Sequence, residues 1–287
     1  MIMHVAEAGE QRGRVVLQLS SSRPNPVALE AAFRIAQAFR SEIESLFVED
    51  RQLVELASFP FAREISLSGR TTRALSPESI AREMRLVARA VSRRVEELAR
   101  QAEVPLRCSI VQDEPVQALA TACAEHGPWN VVAFADHNVL SNGETLREII
   151  ERVSGTTGLL LVGPEAKRTN GPVVVVVEDM LHFEPMVRSA MRLLREEGDE
   201  VALLLIADDP YQGQWMESQA RLALGDTPGV RIASGVDARG SGLVVAEVLR
   251  RLKAGFIIGQ FGGILIPADG DLRHLASSLE CPLFVMR

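Results

Sequence analysis

The chain has almost no lysine. Of its 31 basic residues only Lys167 and Lys253 are lysines, a bias read as genome composition before anything else. It also lacks a basic surplus. The net charge is −7, so the footprint that nucleic acid attracts is missing and no nucleic-acid partner is expected. Cysteine is scarce. Cys108, Cys123 and Cys281 lie far apart in apolar contexts, with no metal or redox spacing and an odd count that suggests no disulfide framework. A reduced, cytoplasmic compartment fits this usage. No apolar run approaches the ~20 residues needed to cross a bilayer, so no membrane insertion is expected. Met1 to Glu7 has no basic n-region and no long apolar h-region, so no signal peptide is expected. There is no Gly-x-Ser-x-Gly elbow, no Walker A loop and no Ser-His-Asp spacing. His126, His137, His182 and His274 share no metal-ligand spacing,. No metal ligand and no catalytic residue is assigned, and the chain leans away from being an enzyme.

What the chain does have is strand material. Its 287 residues are 47% hydrophobic and 24% charged, enough for two cores and not the composition of a disordered chain. Five consecutive valines, Val173 to Val177, follow Gly171-Pro172 and precede Glu178-Asp179. A continuous β-branched run of this length reads as a strand buried on both faces, as in parallel sheets. Arg14-Val15-Val16-Leu17-Gln18-Leu19 opens the chain in the same way, followed by Ser20-Ser21-Ser22.

In chain order, strands are expected at 15–19, 43–48, 106–111, 131–134 and 159–162. The helices between them start on signals such as Asn25-Pro26, Ser76-Pro77-Glu78 and Glu114-Pro115,. Residues 51–75 read as a partly ordered surface excursion. The long helix 77–102 has an apolar stripe through Met84, Ala88, Val91 and Val95 and an arginine face with Arg82, Arg85, Arg89, Arg93 and Arg100. That face is either a solvated surface or a docking face for a protein partner. From 171 the pattern repeats, with strands at 173–177, 201–206, 230–233, 256–258 and 283–285 and helices at 186–197, 211–224, 243–252 and 271–279. The order is preserved, which implies an internal duplication. The expected division is a leader 1–13, a first domain 14–164, a linker 165–171 and a second domain 172–287. Each domain is an α/β unit with a five-stranded parallel sheet flanked by helices.

The ordered set of motifs resembles the universal stress protein family in tandem form. Glu280-Cys281-Pro282-Leu283-Phe284-Val285 is similar to that family's closing segment. Leu46-Phe47-Val48-Glu49-Asp50 and Leu204-Leu205-Ile206-Ala207-Asp208 are similar to its second strand. The resemblance implies a flavodoxin-like, adenine-nucleotide-binding fold. It also implies that Leu159 to Val162 and Leu283 to Val285 lie side by side, antiparallel, as an internal pseudo-dimer; a further homodimer is open. The family's phosphate loop follows its fourth strand, where small residues let backbone N–H groups approach phosphate. The first half has Ala135-Asp136-His137-Asn138 there and Ser20 at the opening acidic position. Its site, with Ser20, Val48, Asp136 and His137, looks degenerate. The second half keeps Gly259, Gly262 and Gly263, with Glu178 at the opening acidic position and Asp179 and Ile206 nearby. These six are the candidate nucleotide-binding residues, unless the glycines form a plain turn.

The expected function is a stress-type regulatory or binding protein that requires no cofactor and takes AMP, ATP or another adenine nucleotide in its second half. The alternatives are a nucleotide-free protein-interaction module on the same scaffold and an enzyme using the same cleft.

Overall fold

The structure is a computed structural model. It describes residues 13–20, 24–66, 68–125, 129–134, 146–153, 155–194, 199–237, 242–268 and 278–287. The first half contains β1 (Arg14–Leu19), α1 (Pro26–Ala38), β2 (Glu42–Asp50), α2 (Arg51–Ala57), β3 (Arg63–Ile65), β4 (Thr72–Ala74), α3 (Pro77–Ala102), β5 (Leu106–Asp113), α4 (Pro115–Glu125), β6 (Asn130–Phe134), α5 (Leu146–Arg152) and β7 (Thr156–Leu161). The second contains β8 (Val173–Val177), α6 (Phe183–Leu193), β9 (Val201–Ala207), α7 (Pro210–Leu224), β10 (Val230–Asp237), α8 (Gly242–Arg251), β11 (Phe256–Gln260) and β12 (Leu283–Met286).

Helix starts follow the caps. The Asn25 side chain accepts the Val27 N–H at 2.9 Å, and Pro26 opens α1. Ser76 accepts from Ser79, and Asp209 accepts from Gln212 ahead of Pro210. Each cap satisfies a donor that the first turn leaves unpaired. In α6 the helix begins at Phe183 rather than Met186, because Pro185 is tolerated in a first turn, where its missing N–H has no intrahelical partner,.

Among the described residues ten strands form one sheet, ordered β10-β9-β8-β11-β12-β7-β6-β1-β2-β5. Every pairing is parallel except one: β7 and β12 run antiparallel, with Leu160 opposite Phe284 and Leu159 opposite Val285. These two strands are the ones expected to meet. Each would otherwise be the bare edge of its own half. Gly158 makes room at the junction, since a Cβ there would lie 2.6 Å from the Phe284 ring.

The valine run explains the two-layer core. Val173, Val175 and Val177 belong to one apolar cluster, with α1, α3 and α6, while Val174 and Val176 belong to the opposite one, with α4 and α8. Alternate side chains of a strand point to opposite faces, so a strand covered on both sides must be apolar throughout. In α3, Met84, Ala88, Val91, Val95 and Ala99 are buried, and Arg85, Arg89 and Arg93 are exposed.

Two buried arginines break the apolar pattern. Arg14 pairs with Glu44 and donates to the Ala122 carbonyl, tying β1 to β2 and α4. Arg34, on α1, reaches the other half. Its Nε donates to the Leu193 carbonyl at 2.9 Å, Nη2 to the same oxygen at 2.6 Å and Nη1 to the Thr169 carbonyl at 2.5 Å. The guanidinium also lies 5.3 Å from the centroid of the Phe256 ring.

Several expectations need correction. Residues 51–75 are more regular than expected, with helix α2 and the β3–β4 hairpin. Strand β2 does not stop at Val48, because β5 continues to pair with it as far as Asp50. Most of the expected helix 271–279, the leader up to residue 12 and the end of the expected helix 186–197 lie outside the described residues. Among the described residues no helix is long and apolar enough to cross a membrane.

Candidate functional site

In an open parallel sheet the ligand cleft forms beyond the strand C-termini, where neighbouring strands lead away in opposite directions. In the second half β8 is that strand, with β9 on one side and β11 on the other. A cavity of about 330 Å³ opens there. Glu178, Ile206, Gly262 and Gly263 line it together with Asp208, Gln212, Gln260 and Ile264. Four of the six residues expected from the sequence therefore share one cavity wall.

The other two do different work. Gly259 lies back in β11, where a Cβ would meet Ile266 Cδ1 at 2.7 Å, so it serves close packing. Asp179 turns toward α6. Its Oδ1 accepts the His182 N–H at 3.0 Å and lies 3.0 Å from His182 Nδ1, and its Oδ2 accepts from Gln260 Nε2 at 2.8 Å. Burial pushes the Asp179 carboxyl up, but the His182 N–H, the Gln260 amide and the His182 ring outweigh it and hold it below its ordinary value,.

Glu178 is the centre of the site. The turn after β11 reverses at Gly262, whose φ of +84° suits glycine,. Past it, the N–H groups of Ile264 and Leu265 both donate to the Glu178 carboxylate, the second at 3.1 Å. Gly263 lies against that carboxylate, and a Cβ there would be 2.3 Å from Oε2. Burial raises the Glu178 carboxyl above its ordinary value, the two N–H groups act against this, and Asp179 adds to it,. Among the described residues, Gln260 Oε1 is buried with no hydrogen-bond partner.

Asp208, Gln212, Gln260 and Ile264 were not singled out as site residues from the sequence. Asp208 and Gln212 are joined locally, as the Asp208 N–H donates to the Gln212 side chain at 2.6 Å. A strand-end acid followed by a capped helix was the available signal. In the first half Ser20 follows β1 and Val48 lies within β2, while Asp136 and His137 lie outside the described residues. Among the described residues, both polar atoms of the buried Gln18 amide, in β1, lack a hydrogen-bond partner.

A larger groove of about 1010 Å³ lies at the other end of the sheet, between Gly13, Phe39, Arg40, Val104 and Arg192. It sits at the N-terminal ends of β1 and β2, away from the strand ends where such sheets bind ligands. Among the described residues no group of His, Cys, Asp and Glu is placed to hold a metal ion.

No protein-family model and no curated protein matches this chain. Solved structures do. A universal stress protein from Archaeoglobus fulgidus DSM 4304 is similar over 96% of this chain and 97% of its own, with a TM-score of 0.61 at 12% identity. A Pseudomonas aeruginosa UCBPP-PA14 protein provisionally assigned to the same family gives a TM-score of 0.55 at 15% identity, over 96% of this chain and 94% of its own. The cytoplasmic domain of a prokaryotic cation chloride cotransporter gives 0.50 at 13% identity, over 96% of this chain and 95% of its own. The chain therefore has the fold of universal stress proteins over nearly its whole length.

Proposed function

We propose that this chain is a universal-stress-type regulatory protein whose second-half cleft binds the nucleoside part of an adenine nucleotide. The observation that carries the reading is the cavity at the ends of β8, β9 and β11. Ile206 supplies an apolar wall for a base, and Asp208, Gln212 and Gln260 supply groups that pair with hydroxyls,. Two of its walls are acidic, Glu178 and Asp208. A nucleoside or AMP suits such a cleft better than metal-free ATP. The first half, where Ser20 and Val48 stand, takes no ligand.

The test is titration of the intact, isotope-labelled protein with adenosine, AMP and ATP. Amide shifts concentrated at Ile206, Asp208, Gln212 and Gly263 support the reading. Shifts confined to the neighbourhood of Ser20 and Val48 refute it. Gly262→Val is a poor variant for this purpose, because a positive φ strains valine whatever the ligand does,.

A second reading, a protein-interaction module that binds no nucleotide, is favoured by one surface. Phe59 and Phe61 stack at 5.4 Å between their centroids. Phe61 is 75% exposed and Ile65 is 65% exposed,. Capture of a partner by the intact protein, lost in a Phe59→Ser/Phe61→Ser variant, would favour it.

A further inference from the structure

The turn after β11 is built to hold an anion, and the chain supplies that anion itself. Two successive backbone N–H groups, from Ile264 and Leu265, converge on one point. Converging main-chain donors of this kind form an anion-binding concavity. The Glu178 carboxylate fills it, one oxygen to each donor. Gly263 is what lets the carboxylate in, because a Cβ would come within 2.6 Å of both carboxylate oxygens. The filled concavity forms part of the cavity wall, and no cation is among the described residues that line the cavity.

We propose that Glu178 is a specificity-determining residue: a built-in anion that occupies the turn's paired donors and reserves the cleft for uncharged, hydroxyl-bearing ligands. The proposal rests on the reading of this cleft as a nucleoside site. A phosphate entering the cleft meets the Glu178 and Asp208 carboxylates and finds the turn's donors already engaged. Repulsion between like charges a few ångströms apart, in a partly desolvated site, exceeds a tenfold change in affinity. A neutral nucleoside meets no such barrier, and its hydroxyls can donate to the same carboxylates.

The experiment uses the intact protein, labelled with ¹⁵N, and three probes: inorganic phosphate, adenosine and AMP. In the wild type, millimolar phosphate should leave the Ile264 and Leu265 amide resonances unmoved, and adenosine should bind at least about tenfold more tightly than AMP. In Glu178→Ala, phosphate should shift both amides, and AMP should reach or pass the affinity of adenosine. Glu178→Gln keeps the shape and removes the charge. It should narrow the gap between adenosine and AMP even if the alanine variant folds poorly. AMP binding the wild type as tightly as adenosine overturns the proposal. So does an unchanged AMP affinity in both folded variants, or a phosphate shift at the two amides in the wild type. If neither adenosine nor AMP binds any form, while phosphate shifts the two amides only in Glu178→Ala, the nucleoside reading fails and the self-occupied concavity stands.

Discussion

Replacing Arg34 by methionine tests how the two halves are joined. Leu193 is the last residue of α6. Its carbonyl is one of the four at a helix end that lack an intrahelical donor, and it lies at the negative end of the helix dipole. Arg34 supplies that oxygen with two donors and gives a third to Thr169, in the segment between the halves. Both residues are buried. Each buried carbonyl stranded by the change costs about 1–3 kcal/mol, and loss of the contact with the Phe256 ring adds to this. Relief from burying a guanidinium offsets part of the loss, and the methionine stem keeps most of the packing. The net expectation is a loss of about 2–4 kcal/mol. Urea unfolding of the intact chain, followed by far-ultraviolet circular dichroism, measures it. Arg34→Lys should recover only part, since an ammonium has no fork to reach both carbonyls. A loss below about 0.5 kcal/mol for Arg34→Met, the size of an ordinary surface change, would refute this account of the junction.

Changing Arg85, Arg89 and Arg93 together to Gln should lower the melting temperature little, because exposed charges contribute little,; a large drop in calorimetry would make that face structural. Burial pushes the Cys123 and Cys281 thiols up to about 12, while Cys108 is exposed and raised less, first by desolvation and then by Glu96. A disulfide reagent at mildly alkaline pH should therefore label Cys108 alone in the native protein and all three thiols in urea; rapid labelling of a second native thiol would contradict the burial. Glu178 has a raised carboxyl, so the native state takes up its proton before the unfolded chain does. The stability from this group is fully present below the unfolded value and is lost as pH rises through the folded one. Wild type should accordingly gain on Glu178→Gln as pH falls from about 7 to about 4, with Asp179 common to both; an unchanged difference would rule out the titration. Gly158→Ala should destabilise the chain by about 1–3 kcal/mol by pressing on Phe284 at the β7–β12 junction,, and a thermal shift within error of zero would mean that the junction yields.

Much of the fold was legible because its signals are local. The valine run fixes a strand covered on both faces from its own composition,. Asn25-Pro26 and Ser76-Pro77 place two helix starts from adjacent residues,. The resemblance to stress proteins in tandem, with short apolar strands closing each half, implied that β7 and β12 would meet, and two bare edges need cover,. Residues 51–75 were harder, because a short helix and a hairpin of two three-residue strands leave too little periodicity to read,.

The site divides along the same line. Its glycines and its strand-end acids stand in the sequence as types and positions, and four of the six expected residues line the cavity. Which way each acid turns does not stand there. Glu178 and Asp179 are neighbours, yet one points into a turn 86 residues further along and the other folds back onto His182. Adjacent residues past a strand end face different surroundings, and only the packed sheet brings the β11 turn against the end of β8. Arg34 is the same case. Within α1 it is one of three polar residues in a mostly apolar helix, and its partners lie 135 and 159 residues away. A charge is tolerated in a core only where donors and acceptors happen to meet, and that meeting is decided by tertiary contact, not by spacing along the chain.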